Sequence, residues 1–498
     1  MSDDRIPVVV GVGEISDRPA DLMESLEPLE LMSRALQEAN EDAGCTLLAE
    51  IDSLDVVNLI SWRYADVAAQ LATKLRIAPR RAVYGPVGGE SPVRYLHEAA
   101  LRVARGESTV GAIVGGEASH SVAAARKAGL VLPWTAFSKV GPPTLRIEDI
   151  LHAQAIKLGA AQPITVYPFY ETASAGHWGQ TPSEALAESG MLWSKYATIA
   201  ASNPSSWLKR RYSADEIVTP SSDNRLIAWP YTKLMVANPM VNQGAAVIVT
   251  SLARARAAGI PSDRMIHVWG GADATEPRDY LQRDQYFESH AQAAVLEAAN
   301  TLTGAADFDA LELYSCFPCV PKMARRALGL GSNVDTTVTG GLTFFGAPLN
   351  NYMTHAICAM VRRLRSVGGI GLLYGQGEFV TKHHALVISS EPPQRRLSQS
   401  TSVQVEANRR RGHVPLFSAD AVGSASVETF TIIYDRNGVP NQGVVIVRMA
   451  DGGRAMARVP VDDERSLDCL VDPNRSPIGI EGALSEGPDG VTEWRIVE

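Results

Sequence analysis

Short runs of valine, isoleucine and leucine recur along the chain and alternate with stretches whose apolar residues repeat every three to four positions. The runs read IPVVVGVG, VGAIVGG, AAVIVTS, GIGLLYG and ALVISS. Such continuous runs are typical of strands buried on both faces, and the longer period is that of amphipathic helices. The pattern therefore predicts a layered α/β architecture.

One of the predicted helices follows a glycine-rich turn with the sequence YGPVGGESP. Over residues 91–105, Val93, Leu96, Ala100 and Val103 fall on one helical face, and most charged residues lie elsewhere. A turn of this kind at a helix start offers peptide N–H groups to an anion or a carbonyl oxygen.

The chain contains a partial internal repeat. IDSLDVV, which starts at Ile51, matches FDALELY, which starts at Phe308, and each reads as entry into a strand. Later in each half, a helix, a glycine and a strand with a glycine turn follow one another, over residues 95–117 and 355–378. The repeat predicts two similar units packed into one pseudo-symmetric core.

Two further segments differ from this core. Residues 119–242 are irregular and rich in aromatic residues, which indicates a lid or binding subdomain. After Pro392-Pro393, short β-rich runs separated by glycine turns predict a small antiparallel barrel. The predicted domains are 1–118 with 243–262 as the first half, 119–242 as an insert, 263–392 as the second half, and 393–498 as the barrel.

Composition narrows the class of protein. The 498 residues are 45% hydrophobic and 20% charged, with a net charge of −9, which argues against a nucleic-acid or membrane-surface binder. No apolar run is long enough to span a bilayer, and the first residues lack the pattern of a signal peptide. Five scattered cysteines are typical of reduced thiols, so we expect a cytoplasmic protein.

Four segments in order carry a resemblance to a known family: ARGESTVGAIVGGEAS, NQGAAVIVTSLARARAAG, GGLTFFGAPLNNYMTH and GLLYGQGEFVTKHHALVI. Together with the glycine turn, they resemble the thiolase superfamily over about residues 6–390. The fused β-rich tail makes the chain most similar to thiolase-like proteins of type 1. The resemblance implies a five-layered αβαβα fold of two similar halves, a loop domain inserted in the first half, and a small OB-like C-terminal barrel.

The resemblance also shows which reactive groups are absent. Thiolases use a nucleophilic cysteine at a helix start, a second cysteine, a histidine in a Gly-His-Pro turn and an Asn-containing turn. The matching residues here are Gly89 for the nucleophile, Tyr374 for the second cysteine, Ala347 for the histidine and Tyr314 in the remaining turn. Because loss of a nucleophile costs several orders of magnitude in rate, classical thiolysis or Claisen condensation is not expected.

We therefore expect a protein that binds CoA or an acyl-CoA as its ligand, with no covalently bound cofactor. This interpretation needs only the retained turns, the insert and basic side chains that meet the CoA phosphates. Residues 209–211 are basic but read as a solvated helix face. A serine that contacts CoA in the family is Pro239 here. The candidate CoA-binding residues are Gly89, Ser91, Arg225, Lys233, Asn242, Gly244, Gly346 and Gly375.

Two other functions stay open. The first is a retro-aldol lyase acting on a β-hydroxyacyl-CoA, in which Tyr314 and Tyr374 face each other across the pocket. A phenol takes a proton from the β-hydroxyl only if its neighbours lower its pKa from about 10. The second is an acyltransferase that uses a non-classical thiol such as Cys316 in the stretch CFPCVP.

The remaining sequence signals are weaker. Gly11-Val12-Gly13 lacks the third glycine of a dinucleotide loop, and no metal site is predicted. In thiolases, the strand that leads to the nucleophile pairs with its copy across a dimer. Here that segment contains Pro86 and Gly88-Gly89, which weaken a strand, so we expect a monomer.

Overall fold

The computed structural model describes residues 5–140, 146–304 and 307–497, so the extreme ends of the first and last predicted domains lie outside it. The strands are β1 (Pro7–Ser16), β2 (Ser53–Val56), β3 (Arg81–Tyr84), β4 (Val110–Ala118), β5 (Leu226–Ala228), β6 (Tyr231–Thr232), β7 (Asn242–Ser251), β8 (Ile266–Thr275), β9 (Ala310–Leu313), β10 (Ile370–Gly377), β11 (Lys382–Ser389), β12 (Phe417–Ser418), β13 (Gly423–Tyr434), β14 (Pro440–Met449), β15 (Arg454–Val459), β16 (Glu481–Glu486) and β17 (Thr492–Ile496).

Fourteen α-helices lie between the strands in the described part of the chain. They are α1 (Pro28–Asp42), α2 (Val67–Leu75), α3 (Ser91–Arg105), α4 (Ser119–Ala128), α5 (Ala153–Lys157), α6 (Pro163–His177), α7 (Pro182–Ser202), α8 (Ala214–Val218), α9 (Leu252–Ala257), α10 (His290–Thr301), α11 (Cys319–Ala327), α12 (Tyr352–Val367), α13 (Gln404–Arg410) and α14 (Glu464–Leu470). None of these described helices is both long and apolar enough to cross a bilayer.

The predicted internal repeat appears in the pairing of the strands. In the first half, β1 and β7 are antiparallel, β7 and β4 are antiparallel, and β4 and β2 are parallel. In the second half, β8–β11, β11–β10 and β10–β9 follow the same sequence of antiparallel, antiparallel and parallel pairs. The two matching stretches at Ile51 and Phe308 lead into the equivalent strands β2 and β9, so the prediction of two similar halves is confirmed.

The two halves meet through β1 and β8, which pair over Val8–Val9 and Ile266–His267 and so make one nine-stranded order, β3-β2-β4-β7-β1-β8-β11-β10-β9. Helices α3 and α12 contact each other and strands of both halves, so they form the central layer. Helix α1 covers the outer face of the first half, and α10 covers that of the second. The result is the five-layered αβαβα fold that the resemblance implies.

The C-terminal strands close into a barrel. Strand β13 pairs with β14, β14 with β15, β15 with β17, β17 with β16, and β16 returns to β13. The β15–β17 pair is parallel, and α14 lies between β15 and β16 in the chain. This is the arrangement of an OB-like barrel, with the indole of Trp494 fully buried in its core.

The barrel is joined to the rest of the molecule at two places. The hairpin β5–β6 belongs to the predicted insert, yet β5 pairs with β13 at Ala228 and Ile433. On another side, the buried Arg454 guanidinium forms an ion pair with Glu428 and donates to the Leu281 carbonyl oxygen at 3.0 Å. These contacts cross the predicted boundaries between the barrel, the insert and the second half. The domain boundaries therefore remain proposals.

Candidate functional site

A cavity of about 450 Å³ lies at the N-terminal end of α3, where the glycine turn, the end of β10 and the start of α6 converge. We call it the central cavity. Its walls are mainly apolar, as is usual for small-molecule sites. They include Gly89, Tyr314, Cys316, Ala347, Leu349, Asn350, Gln376, Gly377, Pro163, Ile164, Tyr167, Ala237, Pro239, Phe317 and Leu342.

The side-chain space at position 89, which the sequence resemblance assigns to the nucleophile of thiolases, is already occupied. A Cβ atom added to Gly89 would lie 2.5 Å from the Gln376 carbonyl oxygen and 2.5 Å from the Tyr314 hydroxyl oxygen. Contacts this short are not tolerated without movement of the backbone. The Tyr314 hydroxyl fills space that a side chain at position 89 would need, so this placement of Tyr314 requires glycine at position 89.

Tyr314 is the predicted site residue whose hydroxyl reaches the central cavity. Its side chain is 7% exposed, and its hydroxyl makes no hydrogen bond within the described part of the chain. Burial raises the pKa of Tyr314 well above its ordinary value, so the phenol stays neutral. It is a hydrogen-bond donor for a ligand rather than a base.

Tyr374 points elsewhere, so the two hydroxyls do not face each other across the cavity as expected from the sequence. Burial lowers the pKa of His383 to about 4, which keeps the imidazole neutral. Its Nε2 lies 3.0 Å from the Val380 carbonyl oxygen and therefore carries the proton, so its Nδ1 accepts from the Tyr374 hydroxyl at 2.7 Å. The same hydroxyl accepts from Gln292 Nε2 at 2.9 Å, which leaves no free donor for a ligand.

Gln376 supplies the side chain of β10 that does line the cavity, and sequence reasoning missed it. It lies two residues beyond Tyr374, on the same face of the strand but at its end. Its Nε2 donates to the Tyr167 hydroxyl at 2.7 Å and to Cys316 Sγ at 3.3 Å, and its Oε1 is buried with no partner in the described chain. Side chains two residues apart lie on the same face of a strand, so the sequence period could have identified Gln376 from the position of Tyr374.

The thiols near the cavity are not activated. Cys316 lines the cavity, and burial raises its pKa to about 12. The thiol therefore stays protonated near neutral pH, and the thiolate is the form that acts as a nucleophile. Burial also raises the pKa of Cys319 well above its ordinary value.

Most of the other predicted CoA-binding residues have structural contacts instead of facing the cavity. Asn242 binds Ser121 through both amide atoms, at 2.7 and 3.1 Å. Arg225 donates to the carbonyl oxygens of Leu226 and Asp435. Ser91 is fully buried behind the turn. Close packing surrounds three glycines: Gly244 against Leu31, Gly346 against Gln243 and Gly375 against Glu90.

Two larger pockets adjoin the central cavity. The charged chamber, of about 1030 Å³, shares Ala237 and Pro239 with it and includes the exposed Lys233. Its other charged residues are Arg210, Asp215, Glu216 and Asp223. The aromatic chamber, of about 700 Å³, shares Ile60, Val87, Gln162 and Pro163 with the cavity, and its rings belong to Trp62, Tyr64, Tyr84 and Phe137.

The cavity wall formed by α6 is held by a buried ion pair. Lys322 of α11 pairs with Glu171 of α6, and both side chains are almost fully buried. Lys322 also donates to Ser189 Oγ at 2.9 Å, and the Tyr231 hydroxyl donates to the second Glu171 oxygen at 2.8 Å. The insert is thereby fixed to the second half.

Known proteins match the C-terminal domain by sequence and the full chain by structure. Residues 405–487 match the family described as thiolase-like protein type 1 additional C-terminal domain. Over the full length of both chains, the structure is similar to a monomeric SCP2-thiolase-like protein type 1 from Mycobacterium smegmatis, with 27% identity and a TM-score of 0.84. The chain has the architecture of a type 1 thiolase-like protein.

Other solved structures match about four fifths of the chain. An Ltp2-ChsH2(DUF35) aldolase covers 78% of this chain and 99% of its own, at 18% identity and a TM-score of 0.59. Human mitochondrial 3-ketoacyl-CoA thiolase in complex with CoA covers 78% and 99%, at 15% identity and a TM-score of 0.54. The sequence matches none of the curated proteins. At these identities, the likeness to the aldolase and the thiolase concerns the fold alone.

Proposed function

We propose that this type 1 thiolase-like protein binds CoA thioesters in the central cavity without forming an acyl-enzyme. The proposal rests on one point of the cavity wall, where a tyrosine hydroxyl takes the place of a nucleophilic side chain. The Tyr314 hydroxyl stands against Gly89, where a nucleophile would project, and has no described protein partner. A neutral phenol in an apolar cavity is suited to donate a hydrogen bond to a thioester carbonyl oxygen.

The charged chamber and the aromatic chamber indicate how a CoA thioester would be oriented in the central cavity. We place the CoA moiety in the charged chamber and the acyl group toward the aromatic chamber, because the cavity lies between them. Pro239, at the position of the family's CoA-contacting serine, borders both the charged chamber and the cavity. Arg210 is paired with Glu216, so Lys233 is the cation best placed to meet a phosphate.

The retro-aldol alternative requires a base near the substrate hydroxyl. Tyr314 has a raised pKa, and the hydroxyl of Tyr374 is engaged by His383 and Gln292. An acyl transfer through Cys316 requires a thiolate, and burial opposes its formation. Both observations favour the binding function over the two catalytic alternatives.

Calorimetric titration tests the proposal with free CoA, acetyl-CoA, octanoyl-CoA and a β-hydroxyacyl-CoA. We expect saturable binding of the thioesters and tighter binding of the longer acyl chain, since each buried methylene contributes about 0.8 kcal/mol. Mass spectrometry should recover every thioester intact and Cys316 unmodified. Cleavage of the β-hydroxyacyl-CoA, an adduct on Cys316 or a lack of binding by all four ligands would contradict the proposal.

Tyr314→Phe separates the hydrogen bond from the rest of the site. It should weaken acyl-CoA binding about twofold to tenfold, because a net hydrogen bond contributes about 0.5–1.5 kcal/mol. Free CoA, which has no thioester carbonyl, should bind the variant unchanged. Tyr434→Phe in the barrel is the matched control and should leave all affinities unaltered.

We also propose that the protein is a monomer. Strand β3 is the edge of the nine-stranded order, and Ala82 and Val83 on it are exposed. Pro86 lies two residues after the end of β3 and lacks the N–H that a longer pairing would need. Sedimentation velocity at micromolar concentration should give the mass of one chain. A species of twice that mass would show that this edge pairs between two copies.

A further inference from the structure

A fourth pocket, of about 620 Å³, lies at the opposite end of α3 from the central cavity. The fifteen residues of α3 separate the two sites by about 20 Å. The pocket is bordered by the start of β1, the end of α3, Val268 on β8 and the segment that leaves the core after β11. We call it the arginine pocket; it is lined by Arg5, Ile6, Pro7, Ala104, Arg105, Val268, Pro393, Arg395, Arg396, Leu397 and Gln399.

Four of these residues are arginines, although the chain as a whole has a net charge of −9. Arg105 is explained by its neighbours, because it pairs with Glu107 at 2.7 Å and lies at the C-terminal end of a helix. Arg5 donates to the Arg105 carbonyl oxygen at 3.2 Å, and it pairs with no carboxylate of residues 5–140, 146–304 or 307–497. Within the described residues, Arg395 and Arg396 form no ion pair.

Three arginines therefore border one pocket without an ion pair to any carboxylate in the part of the chain that the structure describes. Like charges held close together repel unless an anion lies between them. Guanidinium groups match the geometry of phosphate oxygens and bind them through paired hydrogen bonds. The charge pattern thus suits a phosphate group better than a protein side chain.

Apart from the arginines and Gln399, the residues that line the pocket are apolar. Ile6, Pro7, Ala104, Val268 and Leu397 form its floor. Leu397 is buried, so part of the segment after β11 is packed onto the core. A ligand that uses this floor as well as the arginines must carry an apolar portion next to its phosphate.

We propose that the arginine pocket binds a small soluble organic phosphate, with the phosphate at Arg5, Arg395 and Arg396 and an apolar body on Val268 and Leu397. The pocket takes residues from both halves and from the segment that leads to the C-terminal barrel. A ligand there would hold these three parts together and would stabilise the folded state by mass action.

Octyl phosphate below its micellar concentration is the probe. We expect saturable binding in calorimetry and a rise in the thermal unfolding temperature, with weaker binding of inorganic phosphate and none of octanol. Arg395→Gln with Arg396→Gln should weaken octyl phosphate binding at least tenfold. The matched control, Arg363→Gln with Arg436→Gln, removes two exposed arginines elsewhere and should bind like the unmodified protein.

Two further arms distinguish the alternatives. Binding to phosphatidylcholine vesicles doped with phosphatidic acid, in the absence of saturable octyl phosphate binding, would overturn the proposal in favour of a lipid surface. Equal loss of affinity in both double variants, or no binding at all, would also overturn it. Tyr314→Phe should leave octyl phosphate binding unchanged, so failure here is independent of the function proposed for the central cavity.

Discussion

A cysteine introduced at position 89 is expected to destabilise the protein and to leave it without thiolase activity. The added Cβ would stand 2.5 Å from both the Gln376 carbonyl oxygen and the Tyr314 hydroxyl. Overpacking of this kind costs about 1–3 kcal/mol, and more where the backbone has to move. Gly89→Cys and Gly89→Ala should lower the urea unfolding midpoint by similar amounts, because both add the Cβ.

Gly331→Ala provides the control for this result. The atom nearest to its added Cβ is the side-chain oxygen of Asn333 at 2.8 Å, which can rotate away. Its effect should stay within about 0.5 kcal/mol. Gly89→Ala should cost less stability in a Tyr314→Ala background than in the unmodified protein, since one of the two obstructing groups is then absent. A Gly89→Cys protein with unchanged stability and measurable acetyl transfer would show that our reading of this turn is wrong.

Lys322→Met is the second change for which we expect a large effect. It removes the partner of Glu171 and leaves a carboxylate buried between α6, α7 and α11. Breaking a buried ion pair from one side costs about 3–5 kcal/mol, because the remaining charge has lost its compensation. The first unfolding transition in urea should move to lower concentration, and acyl-CoA affinity should fall because α6 forms a wall of the central cavity.

The double variant separates the two causes. Glu171→Gln with Lys322→Met removes both charges and should be less destabilised than Lys322→Met alone. Lys127→Met, at an exposed lysine on α4, should leave the transition in place. If the double variant were the less stable of the two, the uncompensated charge would not be the reason for the loss.

The sequence predicted those parts of the fold that depend on local periodicity. Helix α3 occupies the predicted residues 91–105, because its apolar face, Pro92 near its start and Gly106 after its end all act locally. The repeat at Ile51 and Phe308 was readable because equivalent strands carry similar patterns. The pairing of β5 with β13 could not be predicted. A strand of three residues is too short to show an alternation of apolar and polar residues, and its partner lies about two hundred residues away in the chain.

At the site, position in the chain was predicted better than side-chain direction. Tyr314 and Gly89 were both located, but their mutual fit depends on a tertiary contact that no local pattern records. Tyr374 was assigned to the cavity from the order of residues in the final glycine turn. The position of the cavity along β10 decided otherwise, since the β10 residues that line it are Gln376 and Gly377, at the end of the strand.

The hairpin β5–β6 has a consequence for biosynthesis. A ribosome releases residues 226–232 long before β13 is made, so this hairpin must wait for a strand that is synthesised about two hundred residues later. Until then its outer edge is uncovered, and the insert that carries α6 lacks one of its supports. The last hundred residues therefore complete the wall of the ligand site, and a chain that ends early is not a smaller version of the same protein.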